Sequence, residues 1–321
     1  MSLQTKAVTR LEASAGACGT VRPAATLSAM TVLVFLDPAH DDGKVVDASQ
    51  PQLMATDLGA TRGDGIFESM LAVDGSPRKE QAHLSRLASS AAALDLDVPD
   101  ADAWSRAIRT GLGEFAAAEP DQRNAVVKLV ATRGVEGAGR ATAWVQVAPV
   151  PASTLAQRKA GLKVLFLERG YDSTVAQRAP WLLMGAKTLS YAVNMAAVRH
   201  ARANGADDVI FTSSDGKVLE GPTSTVLLAY DRDGQKTLLT PQLESGILAG
   251  TSQSALFAAA KEQGWELGYG PLEPHDLLDA DAVWLISSIR LLVPVLVLDG
   301  QELRTSAALT AELTELVDRF V

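Results

Sequence analysis

The stretch Trp181-Leu-Leu-Met-Gly-Ala-Lys-Thr-Leu-Ser-Tyr-Ala-Val-Asn-Met195 contains one charged residue, Lys187, and no other charge lies between Arg178 and Arg199. An ammonium group in apolar surroundings is costly unless it is paired or loses its proton, so burial lowers its pKa. A neutral lysine amine is a nucleophile that forms a Schiff base with a carbonyl compound. Lys187 is therefore either a surface residue whose ammonium reaches water or the attachment point of a carbonyl cofactor.

Two further segments contain groups that such a cofactor needs. Glu220 ends an apolar run and precedes a Gly-Pro turn; its carboxylate is either solvated or faces a pyridinium nitrogen and keeps it protonated. Residues 244–253 are spaced by glycines and open a predicted helix, and helix N-termini bind phosphate through their free N–H groups. Thr251 and Ser252 add hydroxyl donors there, although an ordinary capped helix has the same pattern.

Other candidate phosphate ligands lie elsewhere in the chain. Ser288 follows a predicted strand at residues 283–286, and Arg86 lies one helical turn after His83. Arg86 is either a solvated arginine or a phosphate clamp. A reactive lysine, a carboxylate for a ring nitrogen and a set of phosphate donors together describe pyridoxal phosphate (PLP).

The composition indicates a globular protein that does not bind polyanions. Of 321 residues, 47% are hydrophobic and 21% are charged, which suits one large or two medium domains. The net charge of −9 argues against nucleic acid and anionic membranes as partners, but not against a small anionic substrate. Cys18 is the single cysteine, so an internal disulfide is excluded and a cytoplasmic location is expected. The four histidines are scattered and predict no metal site.

Hydrophobic patterning predicts an α+β fold divided into two domains. We interpret residues 1–29 as a loose leader, 30–149 as a small α+β domain, 150–160 as a linker and 161–321 as a larger domain. In the small domain we expect strands at 31–36, 66–73, 125–131 and 141–147, and helices at 81–94 and 102–118.

In the larger domain we expect strands at 162–167, 208–212, 218–220, 225–229, 238–240, 283–287 and 295–298. The expected helices are 188–204, 249–263 and 307–320, with Gly205 after the first and Ser306 as the N-cap of the last. Closely spaced strands with tight turns favour antiparallel pairing or a barrel-like sheet.

Six short motifs occur in the order typical of one known family. The sequence resembles the class IV PLP-dependent aminotransferases, and within them most closely the aminodeoxychorismate lyases, over about residues 31–320. The resemblance implies PLP fold type IV, with a small α+β domain and a larger barrel-like α/β domain. The motifs are Gly63-Asp-Gly-Ile-Phe-Glu68, His83-Leu-Ser-Arg-Leu87, Lys187-Thr-Leu-Ser-Tyr191, Gly205-Ala-Asp-Asp-Val-Ile210, Glu220-Gly-Pro-Thr-Ser224 and Ser245-Gly-Ile-Leu-Ala-Gly250.

The resemblance also implies roles for individual residues around the cofactor ring. Lys187 holds PLP covalently and later moves the substrate proton, and Glu220 pairs with the pyridine nitrogen. Tyr191 approaches the phenolic oxygen of the ring, unless it is a core tyrosine of the predicted helix. Thr223 supports the ring or the phosphate, and Phe67 forms a wall of the substrate pocket.

For the phosphate, the resemblance implies binding by Arg86, Thr251, Ser252 and Ser288. The family often has Thr-Arg where this chain has Ser252-Gln253. A cationic contribution from position 253 is therefore not expected.

Two reactions remain open from the sequence. A lyase would convert 4-amino-4-deoxychorismate to 4-aminobenzoate and pyruvate, a folate precursor synthesis, whereas an aminotransferase would act on D-amino or branched-chain amino acids with a 2-oxo acid acceptor. The dicarboxylate substrate of the lyase favours arginines near the pocket, and the candidates are Arg133, Arg140, Arg290 and Arg62. The motifs at residues 63–68 and 132–134 resemble the lyase and D-amino-acid aminotransferase branches more than the branched-chain branch, and we favour the lyase. The family resemblance implies a homodimer with the active site near the subunit interface. A non-catalytic binding module is the third reading, and the intact Lys187 and Glu220 argue against it.

Overall fold

The computed structural model describes residues 31–320, so the predicted leader at residues 1–29 lies outside the described part of the chain. Within that part, six strands form one antiparallel sheet in the order β2-β1-β6-β5-β3-β4. These strands are β1 (Val32–Asp37), β2 (His40–Val46), β3 (Gly65–Val73), β4 (Ser76–Pro77), β5 (Asn124–Thr132) and β6 (Thr142–Pro149). The helices of the described residues are α1 (Leu58–Arg62), α2 (Glu80–Ala93), α3 (Ala101–Ala118), α4 (Ala152–Ala160), α5 (Val175–Arg178), α6 (Ala192–Ala203), α7 (Thr251–Glu262), α8 (Pro274–Asp279) and α9 (Ala307–Asp318).

One face of this first sheet packs against helices α2 and α3. Alternate residues of a strand point to opposite faces, and in β5 the buried Val127, Leu129 and Ala131 follow that period. The helix α3 contributes Trp104 and Ile108, both fully buried in the same cluster. Burial of these apolar side chains fixes the register of the strands, since a shift of one residue would expose the whole set.

The second sheet is built from the strands that follow residue 161 and has the order β11-β10-β9-β12-β13-β7-β8, with β14 paired to β13. Its central pairs are antiparallel, and the pairs β10–β11, β13–β7 and β7–β8 are parallel. The strands are β7 (Leu162–Glu168), β8 (Asp208–Thr212), β9 (Thr225–Arg232), β10 (Gln235–Pro241), β11 (Glu266–Gly270), β12 (Ala282–Ser287), β13 (Leu291–Leu298) and β14 (Gln301–Glu302).

Both faces of the second sheet are covered. In β12, Val283 and Leu285 belong to one buried cluster, whereas Trp284 and Ile286 pack with helices α7 and α9 in another. A strand that is buried on both faces reads as a continuous apolar run rather than an alternating one. No helix of residues 31–320 is both long and apolar enough to cross a membrane.

The segment before α6 joins the two sheets. Leu189 N donates to Gly65 O at 2.8 Å, and Phe67 N donates to Lys187 O at 3.0 Å. Residues 187–189 therefore pair with the first residues of β3, and Ile66 and Thr188 form an antiparallel bridge. Because of this pairing, Lys187, from the second half of the sequence, lies beside the beginning of β3 in the first sheet.

Most predicted elements are confirmed, and three predictions need correction. The helix expected at 188–204 begins at Ala192, because the backbone of residues 187–189 is used in pairing with β3. Residues 218–220 form only an isolated bridge, Thr212 to Val218, and not a strand. The elements that the sequence did not predict are α1, β2, β4, α4, α5, β11, α8 and β14. Helix α4 occupies most of the segment expected as a linker, and the division into two domains stays a prediction.

Candidate active site

Lys187 is held by backbone contacts on both sides of its peptide unit. Its carbonyl accepts from Phe67 N, and its N–H donates to Ser90 Oγ at 3.0 Å. Ser90 is buried on helix α2, which packs on β3. The segment is thus fixed by a strand and by a helix, and Lys187 lines the adjoining cavity.

The amine of Lys187 lies among aromatic rings. Nζ is 4.5 Å from the centroid of the Phe67 ring and 5.8 Å from that of Tyr191. Burial lowers the pKa of Lys187 to about 8, while the carboxylates Glu68 and Glu220 act in the opposite direction. A substantial fraction of the amine is therefore neutral, and so nucleophilic, at slightly alkaline pH.

Glu220 faces the same cavity from the second sheet. Its backbone carbonyl accepts from Phe211 N at 2.9 Å, which fixes it beside β8. One carboxylate oxygen accepts from Leu248 N at 3.1 Å. Burial raises the pKa of Glu220 to about 7, against the opposing effects of the Leu248 N–H and the Lys187 ammonium. A nearby cationic ring nitrogen would stabilise the ionised carboxylate.

Phe67 and Tyr191 form the aromatic wall of the cavity. Their rings pack edge to face, with 5.2 Å between the ring centroids. The Tyr191 hydroxyl donates to Pro222 O at 2.7 Å, and burial together with the charge of Glu220 raises its pKa to about 12. Thr223 is exposed and lines the same cavity. Tyr191 precedes α6 rather than lying within it, so the alternative of a core tyrosine on a helix is wrong.

Arg86 is engaged by a buried carboxylate. Its Nε and Nη2 donate to the two oxygens of Glu68 at 2.6 and 2.8 Å, and its Nη1 donates to Ala249 O at 2.6 Å. Glu68 is fully buried on β3, and the contacts with Arg86 and His83 outweigh desolvation and lower its pKa to about 2. The ion pair fixes the guanidinium at the beginning of α7 and leaves part of its N–H edge free.

Three hydroxyl groups converge beside Arg86. Ser288 Oγ lies 3.1 Å from Thr251 Oγ1 and 3.2 Å from Ser252 Oγ. Two of these residues begin helix α7, and the third follows β12. Lys79 Nζ donates to Ser252 Oγ at 3.2 Å, and His83 Nε2 lies within 3.3 Å of the other two hydroxyls. A helix N-terminus with hydroxyl donors and cations is suited to a phosphate group.

These groups share a cavity of about 720 Å³. The site residues predicted from the sequence that line it are Phe67, Arg86, Lys187, Tyr191, Glu220, Thr223, Thr251, Ser252, Ser288 and Arg290. Residues from Phe67 to Arg290 in the sequence therefore line one cavity.

The arginines expected near the substrate are placed differently. Arg290 lines the cavity, but its Nη1 is bound to the buried Asp208 at 2.6 Å. Arg133 pairs with Asp64 and donates to Leu94 O, and it lies outside this cavity. Within one chain, the structure does not bring Arg133 to Lys187.

Arg140 and Arg62 also lie away from Lys187 in the single chain. Arg140 is exposed at the end of a glycine-rich loop and lines a second cavity of about 970 Å³. Arg62 is exposed and lies 4.0 Å from Glu136. Substrate binding by any of these four arginines stays a prediction.

The sequence reading missed Lys128, Glu68 and His83. Lys128 lines the cavity from β5, with Nζ 5.1 Å from the centroid of the Phe67 ring, and burial lowers its pKa. Among residues 31–320, no carboxylate lies within 4.0 Å of its Nζ. A lysine inside an otherwise apolar strand was the available signal, as it was for Lys187.

Comparisons with known proteins identify the family of this chain. The sequence model of the family described as amino-transferase class IV matches residues 65–298. The chain belongs to the class IV aminotransferase family. It is 44% identical to a bifunctional aminodeoxychorismate lyase / D-amino acid transaminase of Mycobacterium tuberculosis, over 87% of this chain and 97% of that protein.

Solved structures of class IV enzymes have the same fold. The fold IV transaminase CpuTA1 of Curtobacterium pusillum has a TM-score of 0.83 and 44% identity, covering 89% of this chain and 99% of that one. A hypothetical aminotransferase of Mycobacterium tuberculosis in its PLP-bound form has a TM-score of 0.84 and 42% identity, over 91% and 98% of the two chains.

As a member of the class IV aminotransferases, the protein is a PLP-dependent enzyme. The residues present fit the cofactor. The amine of Lys187 has a lowered pKa, the carboxylate of Glu220 is half-buried and accepts from Leu248 N, and two of three adjacent hydroxyls begin helix α7. These are the groups that an aldehyde, a pyridine nitrogen and a phosphate respectively require.

Proposed function

We propose that the protein converts 4-amino-4-deoxychorismate to 4-aminobenzoate and pyruvate. The observation that carries this proposal is the pair of lysines, Lys187 and Lys128, on the same Phe67 ring inside one cavity. One amine is available for covalent and proton chemistry, and the other is a cation suited to a carboxylate. The relative that is 44% identical over nearly its whole length is named for this lyase activity.

Positions within the site follow from the contacts described above. We propose that Arg86, Thr251, Ser252 and Ser288 hold the cofactor phosphate and that Glu220 faces the pyridine nitrogen. Tyr191, Thr223 and Phe67 would line the ring and the substrate. When bound, PLP supplies an aldehyde for an amine and a ring that withdraws electrons from the carbon that loses its proton.

Lys187 would perform the proton transfers of the reaction. In the lyase, a proton leaves C4 of the substrate ring, the C3–O bond breaks, and the enolpyruvyl group that leaves gains a proton to become pyruvate. The ring that remains is aromatic, so this elimination needs positioning more than further activation. A lysine with a pKa of about 8 can both accept and return a proton near neutral pH.

Lys128 would bind one of the two substrate carboxylates. The apolar Phe67 ring on one side and the partial burial of Lys128 on β5 weaken competition from water, which strengthens an ion pair. We expect Lys128→Met to raise KM for the dicarboxylate about tenfold with a smaller change in kcat, and Lys128→Arg to retain most of the affinity.

A D-amino acid transaminase activity is the second candidate, because the same relative is named as bifunctional. Transamination needs a 2-oxo acid acceptor, whereas the lyase reaction does not. The two activities can therefore be separated by the acceptor, even if one site performs both.

The test supplies 4-amino-4-deoxychorismate without any 2-oxo acid and measures pyruvate and 4-aminobenzoate. We expect equal amounts of both products, and a loss of at least about 10³-fold with Lys187→Ala. A parallel reaction contains D-alanine and 2-oxoglutarate. Turnover there, with no 4-aminobenzoate in the first reaction, would leave the transaminase as the function.

We also propose that the enzyme is a homodimer with its active site near the subunit interface. Four apolar side chains beside the cavity support this: Trp181 is 75% exposed and Val193 60%, and Leu182 and Met195, which line the cavity, are also exposed. Contiguous exposed apolar surface is typical of protein interfaces. The exposed Arg140 would then reach the site of the other subunit.

A further inference from the structure

Beneath the three hydroxyls lies a buried acid–imidazole pair that the reaction above does not use. His83 Nδ1 is 2.7 Å from Glu68 Oε2, and both side chains are fully buried. On its other side, His83 Nε2 lies 3.2 Å from Ser288 Oγ and 3.3 Å from Thr251 Oγ1. A continuous chain of hydrogen bonds therefore runs from β3 through α2 to the beginning of α7 and the end of β12.

The direction of the hydrogen bonds in this chain is fixed at one end. Glu68 stays ionised, because its contacts with Arg86 and His83 lower its pKa to about 2, so its oxygen accepts a hydrogen bond from the Nδ1–H of His83. When the imidazole is neutral, Nε2 has a lone pair and must accept from Thr251 or Ser288. One hydroxyl proton then points toward the histidine and is withheld from any ligand in the cavity.

A protonated His83 would reverse this arrangement. Nε2–H would donate to the hydroxyl oxygens, and both hydroxyl protons would be free to point into the cavity. A phosphate dianion accepts hydrogen bonds only, so it is better bound by the second arrangement.

In the empty site, the surroundings of His83 hold its pKa below the usual value, so the imidazole is neutral until an anion binds. Glu68 neutralises Arg86 through two hydrogen bonds, so this pair adds no net charge. The charged groups facing His83 are Glu68 from β3, Arg86 from α2 and Lys79 immediately before α2. Burial lowers the pKa of His83, and Arg86 and Lys79 lower it further, while Glu68 raises it. An imidazolium formed here would bring the extra positive charge that a dianion requires.

We propose that His83 is a positioning residue that takes up a proton when a phosphate monoester binds, and so turns the Thr251 and Ser288 hydroxyls toward the ester. The inference rests on the proposed phosphate site. It adds a proton-linked selectivity for dianionic esters at that site, separate from the chemistry at Lys187.

Pyridoxine 5′-phosphate is the appropriate probe, because its alcohol cannot form a bond with Lys187. Calorimetric titration of the full-length, cofactor-free protein at pH 7.5, in buffers of different ionisation enthalpy, gives the number of protons taken up. Pyridoxine, which lacks the phosphate, is the matched ligand and corrects for Glu220 and Lys187. We expect the ester to take up close to one proton more than pyridoxine.

Nitrogen NMR of labelled histidine provides a direct and independent readout, since the chain contains only four histidines. His83→Gln identifies the signal and keeps a permanent N–H donor near the position of Nε2. We expect the wild-type His83 signal to change from neutral imidazole to imidazolium on addition of the ester. The glutamine variant should bind the ester within a few fold of wild type, without the additional proton.

A His83 signal that stays neutral in the complex would overturn the proposal and leave the phosphate site intact. Any additional proton would then belong to Lys79, whose pKa is lowered to about 8 by burial. If the ester bound no more tightly than pyridoxine, the phosphate site itself would be wrong. The NMR measurement uses the wild-type protein, so the outcome does not depend on the folding of a variant.

Discussion

Lys187 and Glu220 show how burial moves two titratable groups toward the same pH range. Removal from water disfavours both charged forms, so the pKa of the lysine falls to about 8 and that of the glutamate rises to about 7. Their mutual attraction opposes each shift without cancelling it. A nucleophile and a carboxylate that both titrate near neutrality are typical of an active site.

The raised pKa of Glu220 predicts that the free energy of unfolding of the cofactor-free protein depends on pH. Its pKa rises from 4.5 to about 7 on folding, so the folded state binds the proton more tightly. The contribution of Glu220 to stability is therefore highest below pH 4.5 and falls as the pH rises toward 7. Between pH 5 and 7.5, wild type should lose about 2 kcal/mol more of its unfolding free energy than Glu220→Gln. Urea denaturation measures this, and identical pH profiles for the two proteins would contradict it.

Glu68→Gln should destabilise the protein by about 3 kcal/mol, because it leaves Arg86 without its buried counter-ion. The control is Glu315→Gln, which breaks an exposed pair with Arg319 and should cost less than about 0.5 kcal/mol. Chemical denaturation of both variants gives the comparison. Equal effects would show that the buried pair contributes no more than a surface pair.

Sequence reasoning identified residues of the site where a chemical type stood out against its neighbours. Lys187 and Glu220 were recognisable as charges at apolar runs, and Arg86 by its motif. Glu68 and His83 act through side-chain contacts across 15 residues, and no local pattern reveals such a partner. Arg290 was recognisable as an arginine, but its ion pair with Asp208 depends on the pairing of distant strands.

At the scale of elements, the site depends on short segments outside regular structure. Lys187 precedes α6, and the loop that contains Gly246 and Leu248 precedes α7. The bounds of regular elements such as β3, β5 and α3 were predicted within one or two residues, because their periodic apolar pattern extends over many residues. The beginning of α6 was not, because hydrogen bonds to β3 compete with helix formation there.

Gly246→Ala should lower stability for two reasons. Its backbone has φ of 80°, and an added Cβ would lie 2.8 Å from Met184 Cε and 2.9 Å from Ala176 Cβ. We expect a loss of about 2–3 kcal/mol. Gly234→Ala is the matched control, because Gly234 has φ of 83° and nothing within 4 Å of the added atom. It should lose only about 1 kcal/mol. Thermal unfolding of both variants measures the additional cost of the steric contacts at Gly246. Equal losses of stability in the two variants would show that these contacts contribute nothing.

At the scale of the whole molecule, the exposed patch beside the cavity is the feature that a single chain leaves unexplained. Trp181→Glu places a charge in this patch and should convert a dimer to a monomer, as measured by sedimentation equilibrium. Val45→Glu is the control, since Val45 is 45% exposed on the outer strand β2. A Trp181→Glu protein that sediments like wild type would contradict the proposed interface.

Mixing two inactive variants tests whether Arg140 acts in the other subunit. In a hybrid of Lys187→Ala and Arg140→Ala subunits, one site would retain both residues if Arg140 crosses the interface. We expect the mixture, after subunit exchange, to recover up to about a quarter of wild-type activity. If Arg140 acted within its own chain, every site would lack one of the two residues and no recovery would occur.

The contact between Arg86 and the carbonyl of Ala249 has a consequence for the lifetime of the protein in a cell. Arg86 belongs to a helix on the first sheet, and Ala249 precedes a helix on the second. A phosphate bound beside this contact would be held from both sheets, so opening either one would release it. At a hundredfold excess over its Kd, such a ligand adds about 2.7 kcal/mol against unfolding. The supply of PLP would then govern how quickly proteases degrade the enzyme, as well as the fraction of the enzyme that is active.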